Sequence, residues 1–354
     1  MIHSFGGSGD GARPDAGLID MDGTFYGTTS EGGEYDRGTV FSLTPSGAES
    51  VLHSFGGSGD GTYPDAVLIN VRRTLYGTTV SGGTLNYGTV FSITPSGRET
   101  VLHNFVGGSD DGDGPLAGLV RVGGRLYGTT YRGGIASIFG WGTVFSITPS
   151  GTFALLHRFR SGSEDGANPF AGLINVRGTL FGTTSRGGAN DKGTAFGITT
   201  VGTLFTVLHS FGREDGTHPH AGLIKVGKTL YGTTNEGGVH AGGTVFAITL
   251  RTLHTTTLYN FGGSGDGARP EADLIDIDGT FYGTTSEGGE YDGGTVFSLT
   301  PSGVESVLHS FGGSGDGARP NAGLISIGGT LYGATTRGGT NDKGIVFSLT
   351  PTRT

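Results

Sequence analysis

Short runs of a few apolar and β-branched residues, broken by clusters of Gly, Asp, Asn, Ser and Pro, follow one another along the whole chain. In the first stretch this pattern predicts four strands, at about 17–21, 24–29, 39–44 and 50–55. Asp22-Gly23 and Pro45-Ser46-Gly47 suit tight hairpin turns in which glycine supplies a positive φ. The other two connections, 30–38 inside the unit and 6–15 leading into it, are longer and rich in glycine. Connections of an antiparallel meander alternate between its two ends, so the long loops are expected on one face and the tight turns on the other.

The unit then repeats. Leu52-His-Ser-Phe55 returns as Leu102-His-Asn-Phe105, Leu156-His-Arg-Phe159, Leu208-His-Ser-Phe211, Leu258-Tyr-Asn-Phe261 and Leu308-His-Ser-Phe311, and Ile2-His-Ser-Phe5 opens the chain. Residues 5–55 and 261–311 differ at only five positions, which points to recent duplication. A four-stranded sheet with apolar residues on both faces, as at Val40, Phe41 and Leu43, must stack on neighbours. Four strands per repeat of about 50 residues is the signature of a propeller blade. The expected fold is therefore all-β: one seven-bladed β-propeller over 1–354, with blades near 16–55, 66–105, 117–159, 171–211, 221–261, 272–311 and 322–350. The segment 2–5 is expected to supply the last outer strand and close the ring, which leaves no open sheet edge. A parallel β-solenoid is the rival architecture, although its coils are usually shorter.

Composition narrows the picture. Of 354 residues 74 are glycine, and each interior glycine disfavours a helix by roughly 0.8–1 kcal/mol relative to alanine. A helical protein is excluded on that ground, and collagen by the missing Gly-X-Y period. No apolar run approaches the roughly twenty residues of a membrane span, and no basic and apolar leader precedes the first motif, so neither a span nor a targeting peptide is read. Without cysteine there is no disulfide framework or thiolate metal site. The net charge of −9, with no Lys/Arg cluster, speaks against nucleic acid as a partner and leaves glycans, cations and proteins.

Positions common to the copies read as scaffold. Asp-Gly ahead of a proline recurs between blades, at Asp10, Asp60, Asp165, Asp215, Asp266 and Asp316, and at Asp111 or Asp113 in the altered third copy. A carboxylate accepting backbone N–H groups in a turn accounts for it. Calcium is the competing reading and the one cofactor considered, because Gly6-Gly-Ser-Gly-Asp10 resembles the start of a calcium-binding nonapeptide and Asp110, Asp111 and Asp113 come nearest to an acidic ligand run. The loops are not in tandem, which favours the turn. The recurrent histidine reads as packing and hydrogen bonding between blades, since Tyr259 replaces it once and a phenol of ordinary pKa about 10 cannot take over an imidazole's proton-transfer role near neutral pH.

Function is sought where the symmetry breaks on the long-loop face. The third copy carries the longest insertion, Tyr131-Arg-Gly-Gly-Ile-Ala-Ser-Ile-Phe-Gly-Trp141, in which Tyr131, Arg132 and Trp141 suit a sugar face or a partner surface. Packing of Ile138, Phe139 and Trp141 onto their own blade explains the insertion equally well. The fifth copy gathers His218, His220 and His240 with Glu214, Asp215 and Glu236, the ligand types left to a cysteine-free chain, at a spacing that matches no established metal motif. Neither Gly-x-Ser-x-Gly nor His-Glu-x-x-His occurs, although a ring can still bring carboxylates together across its central channel.

The repeated text Gly-Thr-Leu/Phe-Tyr-Gly-Thr-Thr…Gly-Gly…Gly-Thr-Val-Phe-Ser-Ile/Leu-Thr-Pro-Ser-Gly resembles the Gloeo/Verruco repeat of secreted or surface proteins of bacteria, through all seven copies. The resemblance implies an extracellular or cell-envelope setting and carries no assigned activity. The expectation is a monomeric, non-catalytic binding or scaffold module that offers its long-loop face to a glycan or protein. The alternative is a lyase or hydrolase acting on polysaccharide above the channel in blades three to five. A purely structural or engineered repeat protein is the third reading.

Overall fold

The third strand of each repeat decides the architecture. Val40, Phe41 and Leu43 are all fully buried, but toward different neighbours. Phe41 and Leu43 pack with Phe5, Ala334 and Val346 from the two ends of the chain, whereas Val40 packs with Phe55 against Leu75, Phe91 and Ile93 of the next repeat. Each apolar cluster thus lies between two sheets, and seven such clusters complete a ring.

The computed structural model describes residues 1–7, 9–135 and 140–351. Its seven blades are four-stranded antiparallel sheets, six of them with strands in chain order, as expected. The first blade has Ile19–Met21, Thr24–Thr29, Thr39–Leu43 and Glu49–Ser54, within two residues of the boundaries that the pattern predicts. In the last blade Ile325–Ile327, Thr330–Thr335 and Ile345–Leu349 are joined by His3–Ser4, paired as His3 with Val346 and Ser4 with Ile345. Ring closure by the N-terminal segment is therefore realised. No helix occurs among the described residues, so none is long and apolar enough to cross a membrane.

One edge-to-face phenylalanine pair sits at every junction, with centroids 4.8–5.3 Å apart: Phe5–Phe41, Phe55–Phe91, Phe105–Phe145, Phe159–Phe196, Phe211–Phe246, Phe261–Phe297 and Phe311–Phe347. A bulge between the third and fourth strands, at Val40/Phe41 in the first blade, adds the local twist that turns the fourth strand toward its neighbour. Glycine in the second strand makes room for these rings. A Cβ on Gly27 would lie 2.7 Å from the Phe41 ring and 3.0 Å from Leu18, and Gly77 and Gly283 are as tightly placed.

The long loops pair with each other on one face. Gly11–Ala12 of the incoming loop bonds to Glu31–Gly32 of the loop between second and third strands. The arrangement recurs in six blades, and in blade five a single bridge, Thr217 to Glu236, takes its place. At the rim the recurrent histidine meets the loop aspartate: His53 Nε2 is 2.9 Å from Asp60 Oδ2, whose other oxygen accepts the Gly61 N–H at 2.7 Å. Tyr259 preserves the link by donating its hydroxyl to Asp266 at 3.1 Å. Both the turn role of the aspartates and the inter-blade role of the histidines follow the sequence reading. In the third copy Asp111 fills the position; it binds His103 and accepts the N–H groups of Val106 and Gly112.

The next fourth strand varies what faces this link. Phe153 and Phe205 stack on His103 and His157 at 4.1 and 4.0 Å. Glu49, Glu99 and Glu305 stand in other junctions, each with a buried Oε1 that has no hydrogen-bond partner. Burial, then the charge of Asp10, Asp60 or Asp266, pushes these three carboxyls up to about 7.

Two outcomes are expected. Phe91→Ala removes a ring shared by two blades and should cost about 3–5 kcal/mol in denaturant unfolding. The three glutamates hold protons in the folded state at pH values where unfolded carboxyls, near 4.5, have lost them, so their contribution to stability is lost as pH rises toward about 7. The triple variant Glu49→Gln, Glu99→Gln, Glu305→Gln should match the wild-type Tm near pH 4.5 and exceed it increasingly up to about pH 8, measured by scanning calorimetry in chelator-containing buffer.

Candidate functional site

Each incoming loop ends in a proline, one variable residue and an alanine just before the first strand. First strands of successive blades approach one another, which places them innermost. The variable residues therefore ring the central channel at its long-loop mouth: Asp15, Asp65, Leu116, Phe170, His220, Glu271 and Asn321 in blade order. Behind most of them, a threonine of the second strand secures the next blade by donating to the alanine carbonyl, as in Thr28 to Ala66 and Thr183 to Ala221.

The ring is chemically divided. On one side Tyr131, Phe170 and His220 form a continuous arc: the Tyr131 and Phe170 rings meet edge to face at 6.2 Å, and the His220 imidazole stacks on Phe170 at 4.5 Å. The Arg132 guanidinium lies 5.7 Å from the centre of the Tyr131 ring. Burial, then the neighbouring His218, pulls His220 down to about 4, so it is a neutral stacking and hydrogen-bonding group near pH 7. His218 holds its Nδ1 3.3 Å from Glu236 Oε2 beside the blade-five bridge.

The other side is acidic. Asp15 accepts the Ser30 hydroxyl at 2.5 Å, and Glu271 accepts the Asn235 amide at 3.0 Å. Asp65 Oδ1 and Asn321 Oδ1 are buried without a partner. Burial, then repulsion from Asp15, pushes the Asp65 carboxyl up to about 7, and burial also raises Asp15 and Glu271. The Arg13 guanidinium, 3.0 Å from Glu31, offsets part of the charge of Asp15 and Asp65.

Asp273 is the sharpest local break. Its counterparts are Gly17, Val67, Gly118, Gly172, Gly222 and Gly323, which face one another so closely that a Cβ on Gly17 would lie 3.2 Å from the Gly323 carbonyl oxygen. Asp273 is open to solvent inside the channel yet surrounded by protein, and it accepts the Gly222 N–H at 2.5 Å. Burial raises its carboxyl. Beside it Thr233, the counterpart of Thr28 and Thr183, is left without a hydrogen bond.

The remaining sequence candidates lie elsewhere. Trp141 is 37% exposed and secures the loop through its carbonyl, which accepts the Asn168 N–H at 2.7 Å; it enters no ring contact among the described residues. Ile138 and Phe139 lie outside the described residues. His240 is exposed in its own loop. Asp110 pairs with Arg158 at 2.7 Å and Asp111 serves the inter-blade turn, so these two carboxylates have separate partners, while Asp113 pairs along the backbone with Arg132. Of the channel ring the sequence singled out His220 alone. The missed signal is the column after the proline, which varies from blade to blade between a proline and an alanine that do not.

Away from the channel, two shallow grooves among the described residues sit at equivalent rim junctions. One of about 420 Å³ is lined by Tyr35, His53 and Asp60, and another of about 240 Å³ by His157, Arg160 and Asp165.

Among solved structures the fold is widely shared. The extracellular domain of a hybrid two-component system, BT4673, from B. thetaiotaomicron aligns with TM-score 0.66 and 9% identity over 99% of this chain and 39% of its own. This chain thus spans well under half the length of that relative. Virginiamycin B lyase from Staphylococcus aureus gives 0.60 and 13% over 96% of both chains. An oligogalacturonate lyase in complex with manganese gives 0.60 and 11% over 97% of this chain and 90% of its own. Identities this low show a common fold alone. No curated protein matches the sequence. The family described as the Gloeobacter/Verrucomicrobia repeat matches residues 1–174 and 135–347, and with nearly the whole length accounted for, the chain belongs to that repeat family.

Proposed function

We propose that this propeller is a non-catalytic binding module that takes a neutral glycan at the long-loop mouth of its channel, outside the cell. The observation that carries this reading is the divided ring: an aromatic arc of Tyr131, Phe170 and His220 opposite the acidic arc of Glu271, Asp15 and Asp65. Stacked aromatic faces cover the C–H side of a sugar ring, while carboxylates and the Arg132 guanidinium take its hydroxyls. Three of the sequence candidates, Tyr131, Arg132 and His220, belong to this arc, with His218 and Glu236 supporting it from blade five. The acidic arc and the net charge of −9 disfavour anionic polysaccharides. The extracellular placement is supported by the named extracellular domain among the structural neighbours and by the bacterial repeat family.

A glycan array followed by calorimetry tests the reading. Phe170→Ala should weaken binding of the selected glycan by about 1 kcal/mol, roughly fivefold, with an unchanged Tm. An array without hits, together with capture of a protein partner that Phe170→Ala releases, would move the ligand from glycan to protein.

One observation favours an enzyme instead. The Asp65 carboxyl, pushed up to about 7 beside Asp15, lies in the range useful to a general acid, and lyases occur among the structural neighbours. On the binding reading the wild type releases no reducing ends and forms no unsaturated product from neutral or acidic polysaccharides. Turnover that Asp65→Asn abolishes would establish the enzyme.

A further inference from the structure

Away from the channel, the junction of blades one and two gathers the makings of a metal centre. Among the described residues, His53, Asp60 and Glu99 are the one group of three or more His, Asp or Glu side chains whose ligand atoms all lie within 4.8 Å of one another. His53 is the penultimate residue of the fourth strand of blade one, Glu49–Ser54, and Asp60 lies in the loop that follows. Glu99 opens the fourth strand of blade two, Glu99–Asn104, so the set spans two blades.

The local geometry suits a cation. His53 Nε2 and Asp60 Oδ2 are 2.9 Å apart, and Asp60 is fixed by the Gly61 N–H on its other oxygen. Ligand atoms around a tetrahedral ion with bonds of about 2.0–2.2 Å stand about 3.3 Å from each other. The histidine and aspartate therefore need to part by only a few tenths of an ångström, and Glu99 needs to move by at most about 1.5 Å, within reach of a flexible side chain. Glu99 Oε1 is buried, and no donor reaches it. The groove of about 420 Å³ lined by His53 and Asp60 opens their side of the site to solvent and leaves room for a water ligand.

We propose that His53, Asp60 and Glu99 bind a divalent transition metal, of which zinc is the best match to one imidazole and two carboxylates, and that the ion ties blade one to blade two. Other junctions serve as internal controls. His3, Asp10 and Glu49 repeat the residue set, with His3 and Asp10 3.2 Å apart, as a looser version. Where Phe153 or Phe205 replaces the glutamate, its ring covers the imidazole and the third ligand is lost. Tyr259 shows that a phenol can maintain the link to the loop aspartate without an imidazole.

The test uses tag-free full chain in a Glu49→Gln background, stripped with chelator and titrated with zinc sulfate by calorimetry, with Tm recorded with and without the ion. Saturable zinc binding that raises Tm is expected. Glu99→Gln and His53→Tyr should each weaken it by at least about tenfold. Absence of zinc binding, or affinity undiminished in either variant, would overturn the proposal. Glu99→Gln decides alone should His53→Tyr fail to fold, and a matching loss in His218→Ala would assign the zinc to the surface histidines of blade five and equally overturn it.

Discussion

No blade of this ring can bury its own residues, and everything else follows from that constraint. The third strand sends Phe41 and Leu43 one way and Val40 the other, so each sheet supplies half of two cores and the whole of none. The edge-to-face phenylalanine pairs mark the places where these halves meet. Stability is consequently a property of junctions, and a chain of such units gains its last core only when the first and last segments meet. The pairing of His3–Ser4 with the strand Ile345–Leu349 provides that meeting.

Close packing between sheets explains why glycine is so abundant. In the second strand, Gly27 and its counterparts stand where any Cβ would collide with the phenylalanine ring of the adjacent third strand. In the paired loops, Gly32 adopts φ +80° with the Gly11–Ala12 backbone too near for a side chain. Glycine here is a spacing element that lets rings and loops interlock, and its frequency records how often the same interlock is built.

The sequence disclosed the scaffold because each structural requirement is written seven times. Strand limits, hairpin turns, the aspartate turn and the histidine link all repeat, and Tyr259 in place of a histidine was enough to separate packing from proton chemistry. The site was less legible for the opposite reason. Asp15, Asp65, Phe170, Glu271 and Asp273 are separated by about fifty residues or more around the ring, apart from the last two, and only closure brings them to one channel. Blade-five histidines were conspicuous as a cluster in the text, yet of the three only His220 joins the channel ring: His218 turns to Glu236 and His240 to solvent. Likewise Glu99 has no neighbour in sequence to recommend it, since His53 and Asp60 lie across a blade junction.

Blades one and six, nearly the same in sequence, differ at Asp15/Glu271 and Gly17/Asp273, both on the channel, and at three positions outside it. A copied blade can thus keep its junctions, turns and rim intact while its axial pair changes. The ring behaves as a set of interchangeable cassettes in which two residues per cassette face a shared opening. A new ligand preference can then arise by duplication and a few point changes, with the load-carrying frame inherited unaltered.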